Sequence, residues 1–200
     1  MLSATLSLYL SMAAFALAAS ITPGPVNILV LSSGVQYGFR PSLRLVFGAT
    51  AGFCLLLLLI GLGLHEMLEA FPQLILVIQW AGVAFLLFMA WKLATSNGEL
   101  GKGNAASGPK AITGAIMQWV NPKAWLASIA GMGAYAASGA PALIWEFTAI
   151  YFVVCFVSVA CWAYTGAFLS RFLGEPTRIR LFNRAMAVLL IASAAYLVLG

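Results

Sequence analysis

The sequence is poor in charge. Of its 200 residues only 8% are Asp, Glu, Lys or Arg, with five acidic side chains, ten basic ones and a single histidine. An ordinary soluble domain carries roughly a quarter of its residues as charges, so this chain cannot dress a globule in water. The shortage of histidine and acid also excludes most metal and acid–base chemistry. The stretch "HEMLE" at 65–69 is similar to a zinc-protease helix, but Glu69 stands where HExxH needs its second histidine, and the chain has no other. No metal site and no cofactor are expected. The three cysteines, Cys54, Cys155 and Cys161, lie in apolar runs without CxxC spacing, which excludes a disulfide framework or zinc ribbon and suggests packing roles. Paired carboxylates and a Ser/His pair are missing too, so the chain is not read as an enzyme.

What remains is apolar surface: 63% of the residues are hydrophobic and the mean hydropathy is +1.02. A helical span needs about 20 apolar residues. Six such runs can be marked, at about 4–35 (interrupted at 23–25), 43–64, 71–91, 111–135 (interrupted at 122), 143–169 and 183–199. They describe an all-α polytopic membrane protein with six transmembrane helices and short loops. "ALAAS" at 16–20 imitates a signal-peptidase site, but no Lys or Arg precedes the first apolar run, so the segment reads as a retained span.

The net charge of +5 does not point to nucleic acid, because the basic residues are scattered rather than gathered on one aromatic-interleaved face. Topology accounts for them better. Arg40 and Arg44 follow the first span; Lys92, Lys102 and Lys110 follow the third; Arg171, Arg178, Arg180 and Arg184 follow the fifth. Since cytoplasmic loops carry the Lys and Arg excess, both termini are expected outside.

The one polar stretch of any length, "SNGELGKGNAASGPK" at 96–110, falls at the midpoint. It divides a single transmembrane domain, 1–200, into three-span halves, 1–95 and 111–200, joined by a cytoplasmic linker. An odd number of spans per half means that related halves are inserted upside down relative to each other, a 3+3 inverted repeat. Each half opens with a broken span, at Pro23 to Pro25 and at Pro122.

The two breaks have the grammar of helix starts. In "VNPKAW" Asn121 is a favoured N-cap and Pro122 follows at the first helical position; in "TPGPVN" Gly24 and Pro25 take these parts, with Asn27 one turn in. A helix start leaves backbone N–H groups without partners and bears about half a positive charge. In lipid each unsatisfied group costs several kcal/mol, so irregular backbone at this depth belongs against protein or a cavity. Pro23, Gly24, Pro25, Asn27, Asn121, Pro122 and Lys123 are therefore candidate substrate-binding residues for a carboxylate or phosphate. Lys123, expensive at such depth, either meets a substrate carboxylate or pairs with a backbone carbonyl. Gln118 is a candidate lining residue, and Trp119 and Trp125, flanking the second break, either line a cavity or pack. "GATAG" at 48–52 has the spacing for close helix approach, open to either a homodimer or packing within one chain.

These residues carry a resemblance. "TPGPVN" with "GVQYGFRPSL" and "GATAGF", "FLLFMAWKLATS", and "QWVNPKAW" resemble the signatures of the lysine-exporter (LysE/RhtB) superfamily, in its homoserine/threonine-resistance branch, nearest the cysteine/O-acetylserine exporter-like members. The resemblance implies efflux of small amino acids or derivatives across the bacterial inner membrane, driven by the proton gradient, with a small amino acid, protons and membrane lipid as partners. Relatives commonly carry a polar residue where this chain has Val26. A proton-coupled exporter needs a titratable group, and Glu146, near the outer end of the fifth span, is the acidic candidate; beside Trp145 it equally fits an interfacial belt. A channel or a structural membrane subunit is the alternative, separated from a carrier by counterflow.

Overall fold

Five of the eight prolines open helices. Pro25, Pro72, Pro122, Pro141 and Pro176 each occupy the first helical position, where a missing N–H costs nothing and the fixed φ already suits the helix. The computed structural model describes residues 2–64, 72–98 and 109–199; the "HEMLE" stretch, Lys102 and residues 99–108 of the expected linker lie outside the described residues. Within them the elements are α1 (Leu2–Ile21), α2 (Pro25–Tyr37), α3 (Phe39–Leu59, continuing into a π turn Ile60–Leu64), α4 (Pro72–Ala94), α5 (Ala111–Trp119), α6 (Pro122–Tyr135), α7 (Pro141–Leu173) and α8 (Pro176–Leu199). No strand occurs among the described residues.

Both expected interruptions are present. α1 and α2 meet at a bend of 64°, and α5 and α6 are parted at Val120 and Asn121. Several helices outrun their apolar segments: α3 begins before Arg40, and α8 takes in Arg178, Arg180 and Arg184. Hydropathy ends where the lipid ends, whereas backbone hydrogen bonding continues until a cap or a proline stops it. By length and hydropathy three described helices can cross a membrane, Phe39–Gly63, Pro141–Leu173 and Pro176–Tyr196, and the bent pair α1–α2 makes a fourth; α4 qualifies only as a shorter apolar helix over Gln79–Ala94.

Small residues decide the packing. Lipid is as apolar as leucine, so helices associate through close van der Waals fit rather than through a hydrophobic drive. α3 lies along α5 with Gly48, Gly52 and Gly114 at the crossing: a Cβ on Gly48 would overlap the Ala111 carbonyl, and one on Gly114 would overlap that of Leu45. α2 and α7 cross in the same way, Gly34 against Ala163 and Gly166 against Leu31. Both glycines of "GATAG" are thus used inside the protomer. α7 also packs on α1 and α3, and α4 pairs with α8. α2 sits at the centre, buried from Val26 through Val35, as a helix apolar nearly all round should be.

Candidate functional site

Two helix breaks far apart in the chain meet. The Lys123 side chain lies against Gly24, where a Cβ would stand 3.2 Å from Lys123 Cδ, and its Nζ donates to the Thr22 carbonyl at 2.7 Å. Gly24 is extended (φ −163°, ψ 174°), a conformation open to any residue, so what requires glycine here is the lysine. Gly24→Ala is expected to leave insertion and thermal stability near wild type, because a flexible side-chain end yields cheaply. It pushes the ammonium off Thr22 and slows transport severalfold; an unchanged transport rate alongside unchanged stability would show that the contact has no functional weight.

The two helix starts differ in how they are capped. At α6, Asn121 Oδ1 accepts from the Lys123 N–H at 3.2 Å, its carbonyl accepts from Ala124 at 2.8 Å, and its Nδ2 donates to Gln118 Oε1 at 3.3 Å. That start satisfies itself. At α2 the cap is Gly24, which has no side chain to offer, and Pro25 has no N–H. The leading N–H groups, those of Val26 and Asn27, are left without intrahelical acceptors. The expectation that the two starts play the same part holds for their position and fails for their chemistry, since only α2 presents an open positive end.

The carbonyl end of α1, which carries the opposite partial charge, is crowded with donors. Asn27 Nδ2 reaches both the Ser20 carbonyl at 3.0 Å and the Thr22 carbonyl at 2.9 Å, and Trp162 Nε1 reaches Ile21 at 3.3 Å. Asn27, in the first turn of α2, therefore ties the two halves of the broken span together. Lys123 pairs with a backbone carbonyl, one of the two roles its sequence position allowed.

Around this junction lies a cavity of ≈ 40 Å³, room for about three waters at ~10–15 Å³ each. Gly24, Asn27, Gln118, Asn121 and Lys123 line it, joined by Ser20 and by Val26 in place of a polar side chain. Its opposite wall is Phe53, Tyr151, Cys155 and Val159. Phe53 and Tyr151 stack at 4.4 Å, and an aromatic series continues through Phe147 to Tyr135 and Phe15. Pro23, Pro25 and Pro122 face a different space, an apolar groove of ≈ 770 Å³ against α8 that Gly24, Asn121 and Lys123 also border. Further along α2, Ser32, Ser33 and Gln36 with Lys92 and Lys110 line a more polar cavity of ≈ 640 Å³. Leu29 and Met117 border that larger cavity, next along their helices to the lining of the small one.

Three groups of residues singled out in the sequence take the following places. Trp119 and Trp125 do not line the cavity: they pack edge to face at 6.3 Å, and their N–H groups bond the Gly52 and Trp119 carbonyls. The cysteines do not share one packing role, since Cys54 is buried, Cys161 is exposed, and Cys155 lines the cavity. Glu146 borders neither the cavity nor the groove; it lies in the second turn of α7, near Tyr9. Phe53, Tyr151 and Cys155 were not legible as site residues, because one apolar residue among many in a membrane helix carries no mark of the face it occupies.

Comparison with known proteins gives a consistent result. The LysE type translocator family matches residues 17–200. A cysteine/O-acetylserine efflux protein of Escherichia coli O139:H28 is 30% identical over 182 residues, covering 90% of this chain and 92% of that protein. One of Salmonella choleraesuis is 31% identical over 160 residues, covering 78% of this chain and 81% of its own. No solved structure matches the chain.

Proposed function

Because the chain belongs to the LysE type translocator family, it moves a solute rather than converting one, and we propose that it is a secondary active exporter of small amino acids or their derivatives. The names of its relatives make cysteine and O-acetylserine the first substrates to test. The observation that carries the reading is the polar cavity where two helix breaks meet inside an apolar bundle. The uncapped start of α2 receives the substrate carboxylate through the Val26 and Asn27 N–H groups, with the wall of Phe53, Tyr151 and Cys155 facing the side chain. At ≈ 40 Å³ the cavity is too small for an amino acid, so loading requires the two breaks to part.

In this reading the chain threads the bacterial inner membrane six times, α1–α2 and α5–α6 each forming one broken span. The broken span of each half packs on the middle span of the other, α1 and α2 on α7 and α5 on α3, while the third and sixth spans pair as α4 and α8. Exchange of this kind supports a 3+3 inverted repeat. The Lys and Arg pattern places both termini in the periplasm and the ≈ 640 Å³ cavity on the cytoplasmic side. The proton gradient drives export.

Counterflow in proteoliposomes tests this reading. Unlabelled cysteine or O-acetylserine trapped inside is expected to accelerate entry of the labelled compound severalfold, and an imposed pH gradient to drive its accumulation. A channel gives no trans-acceleration. Absence of saturable exchange for every small amino acid tried would overturn the exporter reading.

A further inference from the structure

Lys123 is the only Lys, Arg, His, Asp or Glu among the described residues lining the small cavity, and it lies at the negative end of a helix rather than free in the cavity. We infer that the carbonyl end of α1 is the subsite for the substrate's α-ammonium group, and that Lys123 is a tethered ammonium which competes for it and carries the coupled proton. The inference rests on the exporter reading above.

Two independent observations meet at this subsite. The Thr22 carbonyl already accepts from Asn27 and from Lys123 Nζ, which fills its two lone pairs. If the lysine withdraws, one acceptor position opens where Lys123, itself a lining residue of the cavity, now sits, and the helix dipole favours a cation there. Ser20, whose own carbonyl shares the Asn27 amide with Thr22, lines the cavity with its hydroxyl, 7% exposed and without a hydrogen-bond partner; Tyr151 and Cys155 are near it but not in bonding geometry. A buried hydroxyl left unmade is expensive, and an ammonium donor would complete it. The open N–H end of α2 begins three residues beyond Thr22, so the two ends of the broken span offer both signs of partial charge within the reach of one zwitterion.

Two ammonium groups cannot share one carbonyl. A substrate ammonium entering the subsite repels the Lys123 ammonium, and the lysine relieves this by giving its proton to water. When the substrate leaves, Lys123 takes a proton back and returns to Thr22. Proton uptake on the outer side and loss on the inner side move one proton inward for each zwitterion exported, with no bond made or broken other than N–H. Groups that titrate near Lys123 are Tyr151 and Cys155 on α7 and, across the groove, Tyr196 on α8; no carboxylate lines either space among the described residues. The lysine is thus the charge best placed to respond.

The test pairs proton release with transport. Wild-type protein in weakly buffered detergent, given the amino acid that it carries in counterflow, is expected to release about one proton for each molecule bound, as linkage requires when binding displaces a proton. The same compound without its α-amino group releases none. In proteoliposomes Lys123→Gln loses accumulation driven by the pH gradient and in detergent it releases no proton on adding substrate, and Lys123→Arg, whose cation cannot be shed, loses accumulation as well. Full gradient-driven accumulation by Lys123→Gln, or no substrate-dependent proton release from wild type, overturns the inference while the exporter reading stands; absence of wild-type counterflow overturns that reading instead. The wild-type proton release decides the matter whether or not either variant reaches the membrane.

Discussion

Asn27→Ala is expected to lose transport and a measurable part of its stability together. Asn27 Nδ2 is the donor that serves the Ser20 and Thr22 carbonyls at the end of α1, and it does so from within α2, at a position only 5% exposed. Hydrogen bonds between membrane segments average only ~0.6 kcal/mol. Removing this amide, however, strips the donor from the buried Ser20 carbonyl, and the cost of an unsatisfied buried group, ~1–3 kcal/mol, is the one that applies. The bend loses its internal tie as well, so transport is expected to fall by about tenfold or more, the equivalent of ~1.4 kcal/mol. Counterflow and thermal unfolding in detergent measure the two effects. Asn27→Asp keeps the size and removes the donor, so it should fail in the same way; wild-type stability and transport in Asn27→Asp would show that the amide hydrogens do not hold the junction.

A larger structural effect is expected of Gly48→Ala. A methylene forced into a packed core costs ~1–3 kcal/mol when side chains can adjust. Here the added carbon meets the backbone of α5, overlapping the Ala111 carbonyl oxygen and standing 2.7 Å from its Cα, so only separation of the two helices makes room. Because α5 leads into Gln118 and Asn121, the separation also displaces one side of the cavity. Loss of monodisperse protein on size-exclusion chromatography, or a steep fall in melting temperature, is the expected result. Gly133→Ala is the control, since nothing lies within 4 Å of its added methyl. Equal behaviour of the two variants would refute the close α3–α5 crossing.

The residues that interrupt helices were the most legible part of the site. Pro25 and Pro122 act within one turn of themselves, and Asn121 caps the helix that starts beside it, so position in the chain is enough to find them. The difference between the two starts was half visible in the same letters, because Gly24 has no side chain to cap with and Asn121 has. Lys123 could be singled out as costly in lipid, but its sequence neighbours do not include Thr22, its partner. The tryptophans stayed open between two roles for a related reason: an indole beside a break lines a cavity or bonds a backbone carbonyl according to which helix crosses there, and for Trp119 the Gly52 carbonyl of α3 decides it.

Composition and local grammar by themselves determined that this chain lives in a membrane, that its backbone is helical, and where its two central breaks fall. Each follows from interactions within a few residues or from bulk partition into lipid. Only the tertiary structure decided that the breaks touch, that Lys123 crosses to the end of α1, and that Phe53, Tyr151 and Cys155 close the opposite wall. In a soluble protein polarity marks the inward face of a helix. In this chain the solvent is itself apolar, so inner and outer faces are written in the same residues, and the choice between them rests on where glycines allow two backbones to meet.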